Sequence, residues 1–183
     1  MTSRQTWFVA MGMAVAFVAG YGGGLLSSAS KARAHAAQTD PFRALQPRIG
    51  KQLPAGRFIA AGKKPVPDHS WRKGKVVLVF LTTGCDACLA EGRFLRSVVD
   101  QRKDVAFLGV LSFEQDEQAL SKAQTLFPFP VVRDERMLLM RSLDVTGVPF
   151  KIYLEDGVVR KTWGGAAMTE EERSDFNQWL AAA

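Results

Sequence analysis

The run "KVVLVFL" (Lys75 to Leu81) leads directly into "TTGCDACLAEG" (Thr82 to Gly92), which holds both cysteines of the chain, Cys85 and Cys88. A continuous apolar run of this length, bounded by turn residues, reads as a strand buried on both faces. From Ala87 to about Arg102 the pattern changes to helical, with Leu89, Phe94, Leu95 and Val98 near one face. A doubly buried strand that gives way to a helix is the repeating unit of a layered α/β sheet. It places the cysteines outside the carboxyl end of a central strand, where open α/β sheets carry their sites.

The rest of the chain extends this pattern. "RFIAA" from Arg57 reads as a short strand, and "DVAFLGVLSF" (Asp104 to Phe113) as a second buried strand followed by a helix from about Asp116 to Leu126. A short apolar stretch at Pro130 to Val132 precedes the helical "RMLLMRSL" (Arg136 to Leu143). "FKIYLEDGVVRKTW" (Phe150 to Trp163) reads as a hairpin with its turn at Asp156 and Gly157. A last helix starts at Thr169, with Glu172 three residues on as in a capping box, and ends near Leu180. From the cysteine strand onward the order β-α-β-α-(short β)-α-β-β-α predicts an α/β fold, a central mixed β-sheet flanked by helices on both faces.

The first part of the chain has a different character. No charge lies between Arg4 and Lys31, and Thr6 to Leu26 is apolar over 21 residues, the length of a membrane-spanning helix at about 20 residues. The triplet Ala34, His35, Ala36 would suit a signal-peptide cut, but Lys31 and Arg33 lie in what would be an over-long region before it. An uncleaved anchor is the better reading. Four glycines within Gly20 to Gly24 argue against a buried core helix. Residues 1–76 hold 12 lysines and arginines against 2 acids, and residues 77–183 hold 12 against 16, so the net charge of +6 belongs to the N-terminal part. A basic segment after a span touches anionic lipid or stays solvated. No aromatic-basic interleaving suggests a nucleic-acid partner. The expected organisation is an anchor at 1–30, a tether at 31–56 and the α/β domain at 57–183. Arg4 before the span is balanced by Lys31 and Arg33 after it, so topology has to come from chemistry.

A chain of 183 residues has room for an ordinary domain that needs no disulfide to hold its core. The only histidines are His35 and His69. A four-ligand zinc site would thus need the segment beside the span to fold back, and no metal or cofactor is expected. Inert buried thiols and a redox pair are the remaining readings. A CxxC at a helix start in a βαβ context favours redox, because unpaired N–H groups and the helix dipole there favour a thiolate at the first cysteine. Cys85 is then the nucleophile, and Cys88, one turn later and more sheltered, the resolving thiol.

"GKVVLVFLTTGCDACLAE" together with "FPFPVVRDERMLLMRSLDVTGVPFKIYLEDG" resembles the membrane-tethered thioredoxin-like thiol-disulfide oxidoreductases of the TlpA/ResA group, over about Ile49 to Leu180. The resemblance implies a thioredoxin-like fold with an N-terminal membrane helix. It also implies that Pro149 is cis and faces the cysteines, with Val148 pairing with substrate backbone, so that Val148 and Pro149 form the substrate wall. Glu91, three residues after Cys88, matches an acid of the family that moves a proton to or from the second thiol, and the competing reading is a solvated helix charge. Val79 stands where thioredoxins carry a buried aspartate, which leaves Glu91 as the nearest candidate acid. On this reading Glu91→Gln alters the pH profile of exchange and leaves the fold intact. The chain departs from the family at Gly84 and Ala87, where an aromatic and a proline are usual, and lacks the family's helix proline near Gly92.

Asp86 bears on the direction of electron flow. A carboxylate about 6 Å from the Cys85 sulfur opposes a thiolate by roughly 0.7 to 3 kcal/mol, and a helix terminus favours it by about 0.3 to 2 kcal/mol. Strong oxidants rely on a greatly stabilised thiolate, so a reductant is the expectation. Such a dithiol is useful outside the cytoplasmic membrane, where disulfides form. Its partners would be a disulfide-containing protein substrate, a membrane electron donor and the lipid bilayer. Apocytochrome thiols are a substrate that the resemblance alone implies. Two alternatives are a peroxiredoxin-like peroxidase, since Thr82 and Cys85 fit T-x-x-C although Leu78 replaces the expected proline, and a non-catalytic assembly protein on the same scaffold.

Overall fold

A computed structural model of the chain describes residues 49–54, 58–60, 64–66 and 71–183, all within one unit, Ala44–Ala183. The span and most of the tether read from the sequence lie outside the described residues. Among the described residues, no helix is long and apolar enough to cross a membrane.

The strands are β1 (Phe58–Ala60), β2 (Lys64–Val66), β3 (Lys75–Leu81), β4 (Ala106–Leu111), β5 (Val131–Asp134), β6 (Phe150–Glu155) and β7 (Val158–Gly164). They form one sheet in the order β2-β1-β5-β4-β3-β6-β7. The pairs β3–β4 and β4–β5 are parallel, while β3–β6, β6–β7, β1–β5 and β1–β2 are antiparallel. The helices are α1 (Asp86–Gln101), α2 (Glu117–Leu126), α3 (Leu138–Ser142) and α4 (Glu170–Ala182). β3 is central, and every residue from Val76 to Leu81 is buried.

Strand periodicity divides that burial between two faces. Val77, Val79 and Leu81 join a cluster with Leu95 and Val98 of α1, Leu120 and Ala123 of α2, and Phe176 and Leu180 of α4. Each fully buried side chain of this size contributes about 1.5–3 kcal/mol. The buried Leu139 and Met140 of α3 lie outside this cluster. Gly92 lets α1 approach the chain after α2 closely, since a Cβ there would come within 2.8 Å of the Phe127 ring.

The hairpin turn uses Asp156 (φ 49°) and Gly157 (φ 78°), the two positive φ values that match the twist of the flanking strands. Part of the segment read as tether is stitched to this hairpin. Gly50 N donates to Val159 O at 2.7 Å, Val159 N to Lys51 O at 3.0 Å and Leu53 N to Gly157 O at 2.8 Å. Thr169 and Glu172 form the capping box of α4.

The helix expected over Arg136 to Leu143 is interrupted. Arg136 (φ 57°) and Met137 (φ 54°) are left-handed, within a short 3-10 turn at Glu135–Met137, and α3 begins only at Leu138. The buried Asp134 carboxylate accepts from Leu139 N at 3.0 Å and Met140 N at 2.9 Å, and so fixes the helix start. Asp134→Ala leaves these donors without that acceptor and is expected to lower stability by about 1–2 kcal/mol, read as a shift in the urea midpoint with unchanged slope.

Candidate active site

β3 and β4 run parallel in register up to Leu81 and Leu111, so the segments that leave them emerge side by side at the carboxyl edge of the sheet. Thr82 to Gly84 form the turn after β3. Cys85 is the N-cap of α1, with extended backbone, and its sulfur accepts from Cys88 N at 3.1 Å. A thiol here lies where the helix start favours an anion. Cys85 is half-buried and Cys88 is buried, and both are free thiols. Burial, then the hydrogen bond with Cys85, push the Cys88 thiol up from 9.0 to about 12, while a backbone hydrogen bond at Thr82 works in the opposite direction. The two thiols are therefore unequal: one is accessible at a helix start, and the other is sheltered and held protonated.

The Val148–Pro149 peptide, at the entry to β6, is cis. Pro149 is buried, Val148 is half-buried and packed against the cluster that contains Cys88, and Gly165 N donates to Pro149 O at 2.9 Å. β6 runs antiparallel to β3, so this entry lies at the same sheet edge as the cysteines.

Glu91 is not a solvated helix charge. It is 1% exposed, and its Oε1 lies 2.8 Å from the Nζ of Lys151, itself 2% exposed. Its Oε2 accepts from Ala167 N at 2.7 Å, and Lys151 Nζ donates to Gly165 O at 3.1 Å. Lys151 pairs across the sheet with Val79, the position read as lacking a buried aspartate, so the buried ion pair occupies that face. Burial lowers the Lys151 ammonium from its ordinary 10.5, and the charge of Glu91 works against this. The pair joins α1, β6 and the chain after β7. Lys151 lines a cavity of about 300 Å³ together with Trp163, Gly165, Ala167 and Phe176 among others.

Sequence reasoning missed Lys151, whose signal was a single cation inside the apolar "FKIYL". It also missed Glu114, whose carboxylate accepts from Thr83 N at 2.8 Å and from Thr83 Oγ1 at 2.6 Å. Its only signal was an acid just past the carboxyl end of a buried strand.

Three exposed apolar side chains follow strands that end at this sheet edge. Phe113 (51% exposed) follows β4, Leu138 (48%) follows β5 and Met168 (65%) follows β7, and all three strands point toward the cysteine edge. Among the described residues, no group of three or more His, Cys, Asp or Glu is arranged to hold a metal ion.

No protein-family model and no curated protein matches this chain. Solved structures do. A secreted Mycobacterium tuberculosis disulfide oxidoreductase homologous to E. coli DsbE matches with a TM-score of 0.58 at 21% identity, over 69% of this chain and 95% of that one. Mycobacterium tuberculosis DsbF, in mixed oxidised and reduced forms, matches with a TM-score of 0.56 at 20% identity, over 76% and 96%. A cysteine-to-serine mutant of Xylella fastidiosa PrxQ matches with a TM-score of 0.59 at 17% identity, over 74% and 96%. The fold is thioredoxin-like, a mixed sheet with helices, shared here by disulfide oxidoreductases and by a protein named PrxQ.

Proposed function

We propose that the chain is a thiol-disulfide oxidoreductase of the TlpA/ResA kind that reduces particular protein disulfides through Cys85 and Cys88, tethered by its N-terminal segment outside the cytoplasmic membrane. The observation that carries this reading is the inequality of the two thiols, Cys85 half-exposed as the N-cap of α1 and Cys88 buried one turn behind it. Cys85 attacks a substrate disulfide and forms a mixed disulfide. Cys88 then displaces the substrate thiol, and the protein leaves with a Cys85–Cys88 disulfide that a membrane electron donor reduces again. The exposed apolar side chains of Phe113, Leu138 and Met168 suit a polypeptide substrate, with Val148 and Pro149 as the wall beside the cysteines.

The charges around the pair favour the reducing direction. Asp86 is exposed in the first turn of α1, where its carboxylate opposes an anion on the adjacent Cys85. Cys88 is held protonated by burial. Neither feature stabilises the reduced pair as thiolates, which is the basis of a strong oxidant. The Cys85/Cys88 couple is expected to have a reduction potential well below about −200 mV, measured by equilibration with glutathione or dithiothreitol, and a value near −120 mV would make the protein an oxidant. Rapid consumption of hydrogen peroxide by the reduced protein would instead select a peroxidase.

A further inference from the structure

The geometry points to Glu114 as a positioning residue that holds the active-site turn through Thr83 and restrains Cys88 in the second half of the exchange. This rests on the dithiol reading above.

Thr83 is two residues ahead of Cys85 and 7% exposed, and Glu114 is the side chain that secures it, binding both its backbone N–H (2.8 Å) and its hydroxyl (2.6 Å). Hydrogen bonds to an ionised carboxylate are shorter and stronger than those between neutral groups. Nothing comparable holds the turn at its next residue. Gly84 has no side chain, and a Cβ placed there would meet no atom within 4 Å. The turn is therefore fixed from the β4 side by one acid. That grip also steadies the preceding residue, Thr82, whose backbone hydrogen bond favours a Cys88 thiolate.

The charge of Glu114 acts the other way, since it is one of the groups that raise the Cys88 thiol. The titratable groups whose charge acts on Cys88 are Cys85, one turn earlier, and Glu114. Glu114 comes from a neighbouring element, beyond the end of β4, and takes part in none of the described ion pairs.

In the step concerned, the Cys88 thiol releases its proton to solvent and the thiolate attacks the Cys85 sulfur of the mixed disulfide. The Cys85–Cys88 bond forms and the bond from Cys85 to the substrate sulfur breaks. The electron pair leaves on the substrate thiolate, which takes a proton from water. A carboxylate nearby disfavours the attacking anion, so Glu114 prolongs the mixed disulfide while keeping its geometry.

The test uses the full chain, reduced and mixed with glutathione disulfide, with release of the first and second glutathione followed separately from pH 6 to 10. Glu114→Gln retains an acceptor for Thr83 N and a group that can bond the hydroxyl, and it removes the charge. Its second step is expected to shift to lower pH and to run about threefold faster at pH 8, the size of one screened charge. Thr83→Val loses the hydroxyl bond and keeps the charge, so it should slow both steps and move the second-step profile, if at all, to higher pH, opposite to Glu114→Gln. Coincident profiles for Glu114→Gln and wild type would overturn the assignment, as would equal pH shifts in both variants. Wild-type protein that never releases the second glutathione would overturn the dithiol reading itself, and the assignment with it.

Discussion

Glu91→Gln is expected to lower the stability of the domain by about 3–5 kcal/mol, the usual cost of removing one partner from a buried ion pair. The glutamine can still accept from Ala167 N, as Glu91 Oε2 does at 2.7 Å, but it leaves the Lys151 ammonium, 2% exposed, without its counter-charge. The substitution keeps size and polarity, which from the sequence suggested a tolerant fold, and burial of both partners argues for a cost instead. The loss should depend on pH in a defined direction. Burial lowers the Lys151 ammonium from its ordinary 10.5, so the folded state holds that proton less tightly than the unfolded state, and stability from this group rises with pH. Without Glu91 the lowering grows. The deficit of the variant should therefore be largest at low pH and shrink as pH rises toward the folded-state value of Lys151 in the wild type, which lies below 10.5. Urea midpoints for both proteins at pH 6 and pH 9.5 measure this. Equal midpoints at pH 6 would show that the lysine finds water or another partner once the carboxylate is gone.

The same pair shows what the sequence could and could not convey. Glu91 was legible as a candidate because it is three residues from Cys88 on one helix, a local relation fixed by helical periodicity. Lys151, 60 residues later by the numbering, becomes its partner only through the β3–β6 register that sets Lys151 opposite Val79, so Glu91 read equally well as a solvated charge. Elements with local signals were readable: the apolar β3, the Asp156–Gly157 turn and the Thr169–Glu172 cap. The break before α3 was not, because Arg136 and Met137 take left-handed backbone without glycine or proline, held by Asp134 bonding forward to Leu139 and Met140. β2 is three residues that include Pro65 and pair with β1 at the sheet edge, where neither period nor propensity marks a strand. Glu114 was hidden for the reason Lys151 was: its partner Thr83 is adjacent only because β3 and β4 are parallel and in register.

The two cysteines should separate sharply on substitution. Cys88→Ser leaves Cys85 at the N-cap of α1, able to attack, with no thiol to release the product. Mixed disulfides with natural substrates should then accumulate and be recoverable from cells under non-reducing conditions. Cys85→Ser leaves only Cys88, 1% exposed, with its thiol pushed up to about 12 chiefly by burial that the substitution does not relieve. Against an ordinary thiol at 9.0, the full shift lowers the thiolate fraction at neutral pH about a thousandfold, of which the variant loses the part due to Cys85 itself, and the higher nucleophilicity of a more basic thiolate recovers roughly half of the rest on a logarithmic scale. The net expectation is reaction with small disulfides slowed by up to about 30-fold before steric shielding is added, and trapping of protein substrates reduced to background. Iodoacetamide labelling rates of the two single-cysteine proteins give the ratio directly. Trapping by both variants, or by Cys85→Ser alone, would exchange the assigned roles. It would also require α1 to open at its first turn, because that turn is what buries Cys88 while leaving Cys85 in reach.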